Sequence, residues 1–136
     1  MDTMYQRHYG PKHDRSEGYV KTAELSRRIR ADIKEAVKAG ELPGKPVTYG
    51  VQCQSYSGGR SVNVVIRDYP GPMTTYPEPM HPAAQALWDK VEAIRQAYNY
   101  DGSEVQVDYF DMNYYGQTCF EGGWQRRQRL AKRTSR

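Results

Sequence analysis

The run from Val47 to Tyr69, VTYGVQCQSYSGGRSVNVVIRDY, constrains this chain more than any other segment. Two alternating stretches flank Ser57-Gly58-Gly59-Arg60. Side chains in a strand point to opposite faces with period two. Val47, Tyr49, Val51 and Cys53 therefore share one face of a first strand, and Val62, Val64 and Ile66 one face of a second. Glycine in the link supplies the positive φ that a tight turn requires. The segment is expected to be a β-hairpin with one apolar face, and the rest of the chain must cover that face.

Two helices are available to cover it. Thr22 offers a capping hydroxyl, Glu24 suits the positive end of a helix dipole, and Leu25, Ile29, Ile33 and Val37 form one apolar stripe that ends at Gly40. Arg27, Arg28, Arg30, Lys34 and Lys38 alternate with Asp32 and Glu35 on the other sides, the pattern of a solvated face. A helix that reads nucleic acid would more often be one-signed, with amide side chains among its cations. A second helix is expected from Pro82, where a missing amide hydrogen is harmless, to about Tyr98, with Leu87, Val91, Ile94 and Tyr98 or Ala97 inward and Trp88 at the border.

A turn at Asn99 to Ser103 then leads to a third strand at Val105, Val107 and Tyr109, and Tyr114 to Phe120 reads as a fourth. Asp108 to Asn113 is compatible with either the strand's continuation or its turn. The order α-β-β-α-β-β is most economically an α+β two-layer sandwich: a four-stranded antiparallel sheet with two helices on one face. The other face would be wet and carry Gln52, Gln54, Asn63 and some of the 12 tyrosines.

A single domain over residues 19–121 is expected, between a flexible N-terminal arm (1–18) and a basic C-terminal tail (122–136). The 136 residues hold no run of eighteen apolar residues and no signal-peptide pattern, so a soluble, cytoplasmic protein is expected. Cys53 and Cys119 both fall in strand patterns, as reduced, buried small hydrophobes would. His8, His13 and His81 lack metal-ligand spacing and read as solvated; neither a metal nor a cofactor is expected.

No constellation anchors an enzymatic reading. Ser57-Gly58-Gly59-Arg60 lacks the spacing of a phosphate-binding loop and leads into a strand. Asp101, Glu104, Asp108, Asp111 and Glu121 concentrate negative charge without a positioned histidine or nucleophile beside them.

Two features point to partners instead. The net charge is +4, and Arg126, Arg127, Arg129, Lys132, Arg133 and Arg136 crowd the last eleven residues with no acid among them. Such a tail is drawn to polyanions, or is simply a solvated end; a helix from Trp124 to Lys132 is compatible with it, though little apolar periodicity would hold one. The segment from Asp68 to Met80 holds four prolines, two tyrosines and two methionines. It reads as a surface loop: a pre-extended recognition segment, or a connector that wraps the sheet edge.

Arg28-Ile29-Arg30-Ala31-Asp32-Ile33, the hairpin from Val51 to Val64 with Ser55-Tyr56-Ser57-Gly58-Gly59, and Asp108-Tyr109-Phe110-Asp111 together resemble a large polyvalent-protein-associated domain, the one numbered twenty-nine, over about residues 19–121. The chain departs from that pattern at Val65 to Pro72, where a longer loop replaces a tryptophan-containing turn. The resemblance implies carriage by a phage or conjugative element and an accessory role, with no catalytic residues to transfer.

The function expected is a non-catalytic interaction module of a phage or mobile element that binds a host or phage protein, in the setting of host defence. Tyr56, Arg60, Tyr69, Tyr76 and Met80 would make the contact. The alternative is a nucleic-acid-binding accessory protein that uses Arg126, Arg127, Arg129, Lys132 and Arg133 for phosphates and exposed tyrosines for stacking DNA or RNA bases.

Overall fold

A computed structural model describes residues 8–73, 79–101 and 113–134. In chain order the elements are β1 (His8–Tyr9), a 3-10 turn (Arg15–Glu17), α1 (Thr22–Lys38), β2 (Thr48–Tyr56), β3 (Gly59–Arg67), α2 (Pro82–Gln96), β4 (Tyr100–Asp101), β5 (Thr118–Phe120) and α3 (Gly123–Thr134). The fold is α+β. Among the described residues no helix is long and apolar enough to cross a membrane.

The hairpin forms where its alternation predicts. β2 and β3 pair antiparallel from Thr48↔Arg67 to Tyr56↔Gly59, and Gly58 takes the turn at φ 89°. Arg60, Val62, Val64 and Ile66 are buried, while the residues between them are only partly covered. Leu25, Ile29, Ile33 and Ala36 of α1 and Leu87 and Val91 of α2 pack on that buried row, so both helices lie on one face of the sheet. Gly40, at φ 83°, ends the first helix as expected.

The sheet differs from the antiparallel four-stranded one expected. It is a three-stranded mixed sheet in the order β2-β3-β5, with β5 parallel to β3 through Val64↔Thr118, Val65↔Cys119 and Ile66↔Phe120. The reason is the path of α2. A helix between two strands returns the chain to the end where the first strand began, which is how parallel neighbours are joined. Arg95, near the end of α2, donates to the Val62 carbonyl at 3.1 Å, close to the start of β3. Asn99 then grips Tyr114 by both backbone groups, at 2.9 and 3.0 Å, and the chain sets off along β3 from there. The strand expected at Val105 to Tyr109 lies outside the described residues.

The expected fourth strand is reduced to three residues because Tyr114 turns inward. It is fully buried, and its hydroxyl donates to the Arg95 carbonyl. Desolvation raises the pKa of that hydroxyl. Gly116, at φ 132°, sits against the Val62 carbonyl, where a Cβ would come within 2.2 Å. Arg95 is 2% exposed and pairs with Glu92 at 2.8 Å; Glu92 also accepts from Thr118 Oγ1 at 2.7 Å. Burial pushes the Glu92 pKa up, but Arg95 and Thr118 outweigh it and leave it lowered.

Other local expectations shift. Lys21, not Thr22, precedes α1 and gives no side-chain cap; the Thr22 hydroxyl lies 3.2 Å from Ser55 Oγ. His81 is the cap of α2, its Nδ1 accepting from the Ala83 amide at 3.2 Å. Cys53 stands opposite the buried Val62 on the helix-side face yet is exposed, because β2 is the edge strand of the sheet, while Cys119 is half-buried; both are free thiols. The arm expected to be flexible is, from His8 on, tied to the fold. β1 pairs with β4, the Gly10 and Lys12 amides donate to Asn99 and Ala97 at 2.7 Å, and Lys12 bridges Asp32 at 2.9 Å.

Candidate nucleic-acid interface

The sheet face away from α1 and α2 is lined by Gln52 and Gln54 of β2 and by Ser61, Asn63, Val65 and Arg67 of β3, as strand alternation requires. Gln52 and Gln54 are exposed, and the β3 residues are half-covered. At the hairpin end stand Tyr56 and Tyr115, 46% and 38% exposed. Tyr115 bridges to Ser61 in parallel register. A Cβ on Gly59 would lie 3.2 Å from the Tyr115 ring and 3.3 Å from the Tyr56 ring, so both rings border the same glycine and form one aromatic step. Glycine is what lets them approach.

At the opposite end lies α3. The expected tail is a helix because its first turn is held: Gln125 Oε1 accepts from the Gly122 amide at 2.9 Å, reaching back across the start of the helix. The helix is then clasped to the sheet by charge. Arg126 reaches Asp68 at 2.9 Å, and Arg129 reaches Asp68 at 3.2 Å and Glu121 at 2.8 Å. Asp68 ends β3 at φ 59°, a left-handed conformation that aspartate tolerates better than most residues. Hydrogen bonds from Arg126 hold the Asp68 carboxyl below its usual pKa, and those from Arg129 do the same for Glu121.

Arg67 completes the cluster, with Nε 3.6 Å from Glu121 Oε2. Three guanidinium groups against two carboxylates leave one positive charge in the clasp. Arg127, which is exposed, adds another on the same acid-free helix, whose sequence also carries Lys132 and Arg133. Arg127, Gln128 and Lys132 are exposed. Among the described residues, this end of the open face is therefore cationic, with the amides of Gln125 and Gln128 interspersed. That is the one-signed, amide-bearing pattern which α1 lacks.

The individually expected residues separate. Tyr56 lies on the aromatic step. Arg60 is 5% exposed and donates to the Val20 and Asn113 carbonyls and the Asn113 side chain, with its guanidinium 4.4 Å from the Tyr19 ring centroid. It anchors the chain around residues 19–22 to the hairpin from within. Tyr69 packs against Phe120 with ring centroids 5.5 Å apart, and Met80 is half-buried. Tyr76 lies outside the described residues. Arg126 and Arg129 hold α3 in place, whereas Arg127 and Lys132 face solvent; the Arg133 backbone belongs to α3.

Sequence reasoning passed over Arg67, Gln125 and Gln128, and counted Tyr115 only as one of the clustered tyrosines suited to interfaces and base stacking. Tyr115 carried a signal, since it is adjacent to a residue destined for the core and must point the other way. Among the described residues no three His, Cys, Asp or Glu side chains converge as metal ligands. No family model matches the chain, and no curated protein or solved structure does either.

Proposed function

We propose that the protein is a non-catalytic binder of single-stranded nucleic acid, with the strand laid across the open sheet face from the Tyr56/Tyr115 step to α3. The observation that supports this most is the arrangement on that one face: exposed tyrosine rings at one end, amide side chains between, and an acid-free cationic helix at the other. Aromatic rings stack on any unpaired base, contributing about 1–3 kcal/mol each, and cations track the backbone phosphates. β3 spans about 27 Å at its ordinary rise of about 3.4 Å per residue, long enough to contact several nucleotides in series. Paired bases would not present their faces to the tyrosines, so single strands are preferred over duplexes.

The test is binding of short labelled single- and double-stranded DNA and RNA across a salt series. Affinity for single strands is expected to fall with salt at a log–log slope of about −1.4, given about 0.7 per neutralised phosphate, the one net positive charge of the clasp and the exposed Arg127. Tyr56→Ala should weaken binding at every salt concentration, and Arg127→Glu should flatten the slope. Affinity indifferent to salt and to both substitutions would remove the reading.

A protein partner is the second reading, favoured by a groove of about 630 Å³ between α3 and the start of the proline-rich loop, lined by Pro46, Tyr69, Met73, Phe120 and Leu130. Met73 is 46% exposed there. The resemblance of the hairpin to a large polyvalent-protein-associated domain would place either partner in a host cell entered by a phage or conjugative element. Met73→Ser abolishing capture of a partner while leaving oligonucleotide binding intact would favour this second reading.

A further inference from the structure

A groove of about 480 Å³ separates α3 from the open sheet face, within the size range of small-ligand sites. Its sheet side is built by an unusual pairing of a glycine and an arginine. A Cβ on Gly50 would lie 2.6 Å from one terminal nitrogen of Arg67, 2.7 Å from the other, and 2.7 Å from Cζ. A point almost equally distant from those three atoms, at that range, lies above the guanidinium plane and not at its edge. The Arg67 guanidinium is therefore laid flat on the bare backbone of Gly50. Glu121, with its side chain 5% exposed, lies 3.6 Å from its Nε, close enough for charge attraction but not for a hydrogen bond, and one-quarter of the Arg67 side chain stays accessible, with Arg67 in the lining of the groove.

Flat guanidinium planes are stacking surfaces for unpaired bases, as aromatic rings are. Around this one the groove supplies Gln52 and Gln128, whose amides carry both donors and acceptors, and the apolar side chain of Val65. We infer that this groove is a base-reading pocket: one unpaired nucleobase of the bound strand stacks on Arg67, and the Gln52 and Gln128 amides hydrogen-bond its edge. The inference rests on the single-strand reading above and adds to it a discriminating position. The tyrosine step is indifferent to base identity, because every base has a face; the groove is not, because amides distinguish donor and acceptor patterns.

The experiment compares the affinities of the full chain for single-stranded homopolymers of A, C and U or T, in RNA and DNA arms. The wild-type protein is expected to prefer one base by about tenfold, the scale of a good edge contact. Q52A/Q128A should bring the three affinities within about twofold of each other, while Tyr56→Ala weakens all three together and preserves their ratio. Gly50→Ala, which displaces the guanidinium, should weaken binding of the preferred base most. Equal wild-type affinities, or a preference that survives Q52A/Q128A, would overturn the pocket and leave the sheet-face interface standing. Absence of binding to any homopolymer would overturn both. A preference seen only with RNA or only with DNA assigns the sugar and supports the pocket in that arm.

Discussion

The two faces of β3 are made by the same nine residues and obey different rules. On one, Arg60, Val62, Val64 and Ile66 are buried beneath α1 and α2. On the other, Ser61, Asn63, Val65 and Arg67 remain partly open, and what covers them at one end is a helix attached by ion pairs. The first face is held by the removal of apolar area from water, the second by charges that solvent and salt can replace. The covered face therefore decides whether the chain folds, and the open face is free to be shaped for a partner.

The sharpest way to break this contrast is a matched pair of truncations. Ile29→Ala, on the buried row, should lower stability by about 2–5 kcal/mol through lost contacts and a cavity. Gln54→Ala, on the open face, should stay within about 0.5 kcal/mol. Urea melts of the two variants measure this, and comparable losses would mean that the faces are not different in kind.

Next in size is Asn99→Ala. It leaves the buried Tyr114 amide and carbonyl without the partner that starts β5 on its path, a loss of about 1–3 kcal/mol by denaturant unfolding.

Smaller still is the effect on folding of Tyr56→Ala, expected within about 0.5 kcal/mol by melting although the same change weakens single-strand binding by about 1–3 kcal/mol. A large loss of stability there would mark Tyr56 as part of the fold.

The smallest effect concerns the attachment of α3. Asp68 and Glu121 have lowered pKa values in the folded protein, so the stabilisation they give is complete above the ordinary carboxylate range. It is lost as pH falls through their lowered values. Amide exchange in 123–134 should rise below about pH 4, while α1 and β3 stay protected. Glu121→Gln should produce part of that loosening at neutral pH. Simultaneous release of all elements would show that α3 belongs to the cooperative core.

Both ends of the chain read as loose in sequence, for the same reason. The N-terminal stretch has little apolar periodicity, yet Gly10 fits so closely against α2 that a Cβ would lie 2.3 Å from the Ala97 carbonyl oxygen. The basic end likewise lacks an apolar stripe, and its order comes from Asp68 and Glu121, which belong to other elements. Attachment of this kind depends on partners distant in the chain and leaves no local pattern. Arg60 illustrates the converse: an arginine beside a glycine turn looks available for a ligand, and the carbonyls of Val20 and Asn113 claim it.

By itself the sequence determined the hairpin, the apolar stripes of α1 and α2, their placement on one side of a sheet, and the polar character of the other side. Each of these follows from periodicity within a single segment and the need to bury one face. Only the tertiary structure decided that β5 runs parallel to β3, that the basic helix is held beside the sheet, and that Arg67 lies flat on Gly50. Those outcomes depend on where α2 returns the chain and on which charges meet across it, and such pairings between distant residues carry no signature along the chain.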